Sequence, residues 1–540
     1  MRFWPACESW RSRLAPAVGA AARFSHHPIS MRVSRRFACV SLACITVVAA
    51  AIAATAAHAA TVRLPYVAGD PIAPALRAAA ARGERLDALL LLREQADLAP
   101  AELIAVRAAR VAFVHRAVHD VAAATQQPLR AELDARGIRY RSYAIVNAIA
   151  VRDVTLAQLE TLAARDDVAE VESDLPVRID IPAPGKATAD AHDAAAADTI
   201  EWGVEKIGAP SLWALGVKGG GVVYASADTG VQWDHPALKS RYRGWKPAKQ
   251  RARHGYSWWD AVHADASGNG TNPCGFSSPV PCDDFGHGTH VLGTGIGDDH
   301  AGNQIGVAPR AKWIACRNMD EGVGRPSSYV ECFDFFLAPW DVNGANPDPA
   351  RAPHVISNSW SCTKSEGCGA RSLRKAVKAA RAAGIFVVVS AGNSGPTCSS
   401  ISDPPSIHDA SFTVGSTDAS DALALSSGRG PVAVDGSNRL KPDISAPGVS
   451  VRSSLPGSTY GALSGTSMAA PHVAGAVALL WSARPDLRGQ VGVTEQALLS
   501  SANPTVTASG TCGGTTSADI PNDLFGYGRL DVPAALAALP

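Results

Sequence analysis

Two short apolar runs, each followed at once by a polar turn, constrain this chain more than any other feature. GVVYASA (221–227) stops at Asp228 and turns at Gly230, and IFVVVSA (385–391) runs into Gly392-Asn393-Ser394-Gly395. Continuous apolar stretches of this length suit strands covered on both faces. The residues leading into the second run, SLRKAVKAARAAG (372–384), carry apolar side chains at helical spacing. Strands alternating with helices across residues 200–540 predict an α/β domain: a parallel central sheet with helices on both faces. In such sheets ligands bind beyond the C-terminal ends of the strands. The residues just after each apolar run are therefore where chemistry is to be sought.

Upstream the pattern changes. LDALLLL (86–92) predicts a buried strand, and 101–125 predicts a helix with Leu103, Val106, Val114, Val118 and Val121 on its apolar face, stopped near Pro128 and Gly137. A strand over 143–151, a helix over 156–166 and a strand over 168–173 complete a small α+β unit spanning 61–180. Residues 181–199 are rich in Pro, Ala and small polar residues, without periodicity, and predict a linker. Residues 200–540 form the large domain.

The first 59 residues predict an N-terminal extension with a secretory signal. MRVSRR (31–36) is basic, an alanine-rich apolar run follows, and AHAAT closes it with small residues, placing cleavage after Ala59, with Met31 as an alternative start. Export, extracellular or periplasmic, makes the eight downstream cysteines candidates for disulfides. Eight cysteines allow 105 pairings, and only the short loops 274–282 and 362–368 suggest local ones. No C-x-x-C pair points to structural zinc. A net charge of +1 gives no field to attract nucleic acid or acidic membranes. The last ten residues, DVPAALAALP, are too short for a membrane anchor.

Four stretches carry chemistry-bearing residues. Asp228 ends an apolar strand, where a semi-buried carboxylate can orient an imidazole. His287 sits in DDFGHGTHVLGTGIG (283–297) between Gly286 and Gly288, which leave room for a substrate backbone. His290 three residues on suggests a metal pair, but no H-E-x-x-H surrounds it, so it reads as a structural histidine. Ser467, in SGTSMAAPHVAG (464–475), opens a helix whose unpaired N–H groups favour negative charge, with Pro471 in the first turn. Asn393 offers an amide N–H₂ at the end of a strand. Taken singly, Asp228 reads equally as a turn cap, Ser467 as a helix N-cap and Asn393 as a turn residue.

Together, ADTGV, HGTHV, AGNSG and GTSMAAPHVAG resemble the subtilisin-like serine proteases, in the chain order Asp, His, Ser. VISNSW (355–360), GVAPRA (306–311), KPDISAPG (441–448) and GYGRLD (526–531) fit the same family. The resemblance implies a subtilisin-like fold and a serine endopeptidase with Asp228, His287 and Ser467 as its triad. It implies Asn393 and the Ser467 N–H as oxyanion donors, and Ser359, Trp360 and Ser361 as a substrate-binding segment. Trp360, Ser361 and Cys362 stand where the family has glycines just after the serine, which leaves the preferred substrate side chain open. The 61–180 unit is similar in pattern and position to the family's inhibitory prodomain, so the chain is expected as a self-processing zymogen cut within 174–200. Its partners would be protein or peptide substrates and its own prodomain; it is expected as a monomer. The chemistry needs no cofactor. Calcium enters only as an optional structural ion: Asp298 and Asp299 in GDDHAGNQIGVAP (297–309) offer oxygen ligands without a full set. A non-catalytic binding module and an acyl transferase acting on esters are the competing classes.

Overall fold

The computed structural model describes residues 60–65, 69–178, 199–363 and 367–540. The signal-peptide reading and nearly all of the linker lie outside them. The principal elements of the N-terminal part are strands β1 (Leu86–Leu92), β2 (Tyr140–Tyr143), β3 (Ala148–Val154), β4 (Val168–Ser173) and β5 (Val177–Arg178), with helices α1 (Arg107–Ala135) and α2 (Leu156–Ala163). The larger part contains β6 (Val223–Asp228), β7 (Trp258–Asp260), α3 (His287–Ile296), β8 (Lys312–Arg317), β9 (Met319–Asp320), β10 (Val323–Gly324) and α4 (Pro326–Leu337). It continues with β11 (Val355–Asn358), α5 (Arg374–Ala382), β12 (Phe386–Ser390), β13 (Phe412–Thr417), β14 (Ile444–Pro447) and α6 (Thr466–Ala483).

The large sheet is seven-stranded, in the order β7-β8-β6-β11-β12-β13-β14, and every pairing is parallel. Its strands alternate between two apolar faces. Tyr224, Val355, Phe386 and Val388 pack with α6, which is buried from Thr466 to Trp481, while Ala225, Ala227, Ile356, Val387 and Val389 pack with α4 and α5. A sheet buried on both sides explains why β6 and β12 are apolar without a polar face. The expected α/β architecture is present.

The N-terminal strands form a four-stranded antiparallel sheet, ordered β2-β3-β1-β4, with its own core around Leu90, Leu133, Ile149 and Leu162. Three local expectations are corrected. Residues 99–103 make a 3₁₀ turn and α1 begins only at Arg107, so Leu103 and Val106 are exposed at 88% and 66% instead of facing a core. The helix also runs through Pro128, because Leu129 and Leu133 are fully buried beyond it and tertiary packing offsets the lost N–H. The single strand expected over 143–151 is two, folded back at Asn147, whose φ of 42° makes the turn.

This sheet lies against α4 and α5, and charged side chains complete the ends of both helices from outside. Asp174 Oδ1 accepts from the Ser327 N–H (2.7 Å) in the first turn of α4. Arg110 donates to the carbonyls of Arg381 (3.3 Å) and Ala382 at the end of α5, and Arg107 to Gly384 (3.4 Å). A carboxylate at a helix start and guanidinium groups at a helix end both oppose the local partial charge. Asp174→Ala removes one cap and strips Arg152 of an ion-pair partner. It is expected to cost about 1–3 kcal/mol, read as a lower urea midpoint of the full chain. Beyond β4 the chain continues as β5, which pairs antiparallel with β10, Val177 opposite Gly324 and Arg178 opposite Val323.

All eight downstream cysteines are paired, as Cys274–Cys282, Cys316–Cys332, Cys362–Cys368 and Cys398–Cys512. Both suggested local bridges are present. Among the described residues no helix is long and apolar enough to cross a membrane.

Candidate active site

Three adjacent parallel strands deliver residues to one edge of the large sheet. β6 ends at Asp228, β11 runs into Ser359-Trp360-Ser361, and β12 leads to Asn393. Helices α3 and α6 then begin at His287 and Thr466, at the same place. Asp228 and His287 are 1% and 0% exposed, and Ser467 is 3% exposed.

His287 Nδ1 lies 2.7 Å from Asp228 Oδ1, which also accepts from the Thr229 N–H at 2.8 Å. Because a carboxylate only accepts, Nδ1 carries the proton. Nε2 is then a lone-pair nitrogen, buried and without a hydrogen-bond partner in the protein. Gly288 makes this contact possible in a way its neighbours alone do not suggest. A Cβ there would lie 2.1 Å from the Gly230 carbonyl oxygen and 3.0 Å from Asp228 Cβ. The space is filled by the protein's own strand end and not by a substrate backbone, which corrects the sequence reading. Gly286, at φ 94°, turns the chain into the helix.

Asp283 anchors that turn and was not singled out in the sequence. Its Oδ1 accepts from the Thr229 hydroxyl (2.8 Å) and the Gly286 N–H (2.7 Å), and its Oδ2 from the Thr289 N–H (2.8 Å) and hydroxyl (2.6 Å). It ties the end of β6 to the first turn of α3. The legible signal is an aspartate four residues before a helical histidine, positioned to accept from the helix's free N–H groups.

Gly465 precedes α6 at φ 151°, a conformation open to glycine. Ser467 is the second helical residue, so its N–H has no acceptor within the helix. Pro471 lies inside α6, in the second turn and not the first. Lacking an N–H, it leaves the Ser467 carbonyl without its i+4 donor, and the Ser359 hydroxyl fills the vacancy at 3.0 Å. The Ser467 hydroxyl in turn donates to the Ser359 carbonyl at 3.1 Å. It is therefore turned to the segment after β11, and no hydrogen bond joins it to His287.

Asn393 Oδ1 accepts from the Thr466 N–H (3.0 Å) and hydroxyl (3.1 Å). With the oxygen held on that side, the Nδ2 amide faces the opposite way, as a donor. In the segment expected to bind substrate, Ser359 is buried, Ser361 is half-buried, and the Trp360 ring is an internal strut. It stacks on Tyr329 at 4.0 Å and 10° and donates to the Ala227 carbonyl at 2.9 Å.

His290 behaves as a structural residue. Its Nε2 lies 3.0 and 3.1 Å from the carbonyls of Val451 and Gly461, and burial lowers its pKa to about 3. In the 297–309 loop Asp299 accepts through both oxygens from Ala301, Asn303 and Tyr460, and Asp298 accepts from the His300 N–H; no group of three His, Cys, Asp or Glu side chains placed to hold a metal ion occurs among the described residues.

The sequence pattern of the subtilase family matches residues 219–528. The chain is 42% identical over 354 residues to bacillopeptidase F of Bacillus subtilis (strain 168), a match covering 64% of this chain and 22% of that protein. It is 33% identical over 283 residues to the major intracellular serine protease of the same strain, covering 52% of this chain and 74% of that one. Against subtilisin E, also of that strain, identity is 32% over 291 residues, 54% of this chain and 63% of that one. The chain thus spans less than a quarter of bacillopeptidase F and less than two thirds of subtilisin E. With a parallel sheet whose strand ends gather Asp228, His287, Asn393 and Ser467, and a family match running through all four, the chain belongs to the subtilase family.

Proposed function

We propose that this chain is an exported serine endopeptidase, made as a self-processing zymogen and acting on peptide bonds through an acyl-enzyme. The observation that carries the reading is the 2.7 Å contact between Asp228 and His287 Nδ1, which leaves Nε2 as a buried base at the mouth of α6. Ser467 rotates from the Ser359 carbonyl toward that nitrogen and attacks the scissile carbonyl, and His287 takes its proton. Asp228 holds the tautomer and stabilises the imidazolium. Negative charge develops on the carbonyl oxygen between Asn393 Nδ2 and the Ser467 N–H, close to the positive end of α6. His287 then protonates the leaving amine, and water repeats the sequence to release the acid. Every group in this cycle is a protein side chain or N–H, so no cofactor is required.

The N-terminal sheet is proposed to be the inhibitor. Its β5 segment already pairs as an added strand on β10, the way an extended peptide engages a sheet edge. Cleavage within 174–200, where it falls after Arg178, would sever that strand from the large domain. Four disulfides favour an oxidising compartment, and we take the mature enzyme to be a monomer.

The test is labelling of the purified chain with a serine-directed fluorophosphonate, with the adduct mapped by mass spectrometry and precursor length followed over time. The reading requires the adduct on Ser467 and loss of the 61–180 segment. A folded chain that stays full length and unlabelled would move the binding-module reading ahead. Asn393→Ala is expected to lower kcat about 10²–10³-fold with KM little changed, because the lost donor acts on charge that exists only in the transition state. Steady-state kinetics on a peptide amide check this.

A further inference from the structure

A cavity of about 720 Å³ lies between α1 and β2 on one side and β7, α4 and the loop after α4 on the other. None of the candidate active-site residues lines it. Its size is that of a small-molecule site. Arg130 and Arg141 come from the N-terminal side, and Asp260, Glu331 and Asp334 from the large domain.

Most of these charged groups are already engaged. Glu331 Oε1 lies 2.7, 2.8 and 3.1 Å from Trp259 Nε1, His263 Nε2 and Arg141 Nη1. Asp260 accepts from the N–H groups of Val262 (3.0 Å) and Ser278 (2.7 Å). Three buried atoms on the walls are not engaged. Asp334 is 7% exposed; its Oδ2 accepts from the Ala144 N–H at 3.0 Å, but its Oδ1 has no hydrogen-bond partner among the described residues. Arg130 Nε and Trp340 Nε1 are donors in the same position. Leaving such atoms unpaired is costly, and a ligand of matching polarity removes the cost. Burial also pushes the Asp334 carboxyl above its ordinary value, the response of an acid short of donors.

We infer that this cavity binds a zwitterion with an apolar body, a free amino acid or dipeptide, whose ammonium meets Asp334 and whose carboxylate meets Arg130 and the Trp340 N–H. An inorganic anion would leave Asp334 without a donor, and a simple amine would leave Arg130 without an acceptor. The rings of Tyr143, Trp259 and Trp340 supply apolar wall, the last two edge to face at 5.2 Å. Because the walls come from both parts of the chain, occupancy stabilises their contact. Resting on the zymogen reading above, such a ligand, which is also what a protease releases, delays loss of the 61–180 segment.

The test is calorimetric titration of the full-length Ser467→Ala chain, which keeps both walls, with glycyl-phenylalanine, its N-acetyl form and its C-terminal amide. The free dipeptide is expected to bind, and each capped form to bind at least about tenfold more weakly, because each loses one charge-assisted hydrogen bond. Arg130→Gln should no longer distinguish the dipeptide from its amide, and Asp334→Asn should no longer distinguish it from the acetyl form. Asp334 also accepts from the Ala144 N–H, so should its variant fail to fold, the half-buried Arg130 decides. No binding, equal binding of all three peptides, or undiminished binding by Arg130→Gln overturns the site. In the wild-type chain the dipeptide is expected to slow loss of 61–180. Binding without slowing overturns the regulatory role alone. A wild-type chain that never loses the segment overturns the zymogen reading, while the titration still decides the site.

Discussion

Ser467→Ala and His287→Ala are each expected to lower kcat about 10⁶-fold, and the double variant to lower it no further. The reason is that neither group acts alone. The Ser467 hydroxyl is a weak nucleophile that attacks only as its proton leaves, and the base proposed for it is His287 Nε2, buried and unengaged within the protein. Deleting either member removes the same step. What remains is binding and the oxyanion donors, Asn393 Nδ2 and the Ser467 N–H, which continue to favour attack by water about 10³-fold over the uncatalysed rate. The check is single-turnover kinetics on a chromogenic amide, with maturation supplied by a trace of wild type that is afterwards inactivated. A double variant slower than either single one by another factor of about 10³ would mean that serine and histidine contribute independently, and the triad would be wrong.

Asp228→Asn is expected to cost about 10⁴-fold in kcat while leaving the fold intact. The substitution is nearly isosteric, but it replaces an acceptor-only carboxylate with a group that also donates. In the native protein Asp228 Oδ1 takes both the Thr229 N–H and the His287 Nδ1–H. An amide N–H₂ turned toward the ring favours the other tautomer, with the proton on Nε2, and the base is lost. The imidazolium formed in the cycle also loses its counter-charge. Measured kcat and the second-order rate of fluorophosphonate labelling should fall together, with unfolding temperature nearly unchanged. A loss under tenfold would assign Asp228 a merely structural place.

The site was legible in the sequence wherever one residue type can do one thing at one place in a strand–turn–helix pattern. Asp228, Asn393 and Ser467 each follow a glycine-marked or apolar boundary that a parallel sheet turns into a strand end or helix start. What stayed hidden depended on partners distant in the chain. Nothing local reveals that Gly288 is small because Gly230 and Asp228 press against it, or that Pro471 sends the Ser467 carbonyl to the Ser359 hydroxyl. The N-terminal errors have a different origin. The apolar spacing over 101–125 is real, but Leu103 and Val106 precede the helix start, and local pattern does not announce where a helix begins without a side-chain cap.

The Cys398–Cys512 bridge joins cysteines 114 positions apart and encloses Ser467. Closing a loop of this size restricts the unfolded chain by about 4–5 kcal/mol in the chain-entropy picture. A second result concerns survival among copies of itself. An enzyme that cuts peptide bonds is exposed to nicking by its neighbours, first at surface turns. Any single cut between 398 and 512 leaves the two pieces covalently joined, and the severed turn stays beside its partner instead of diffusing away. The chain is thus tethered across the segment that carries Ser467, so a nick there opens a loop without dismembering the molecule.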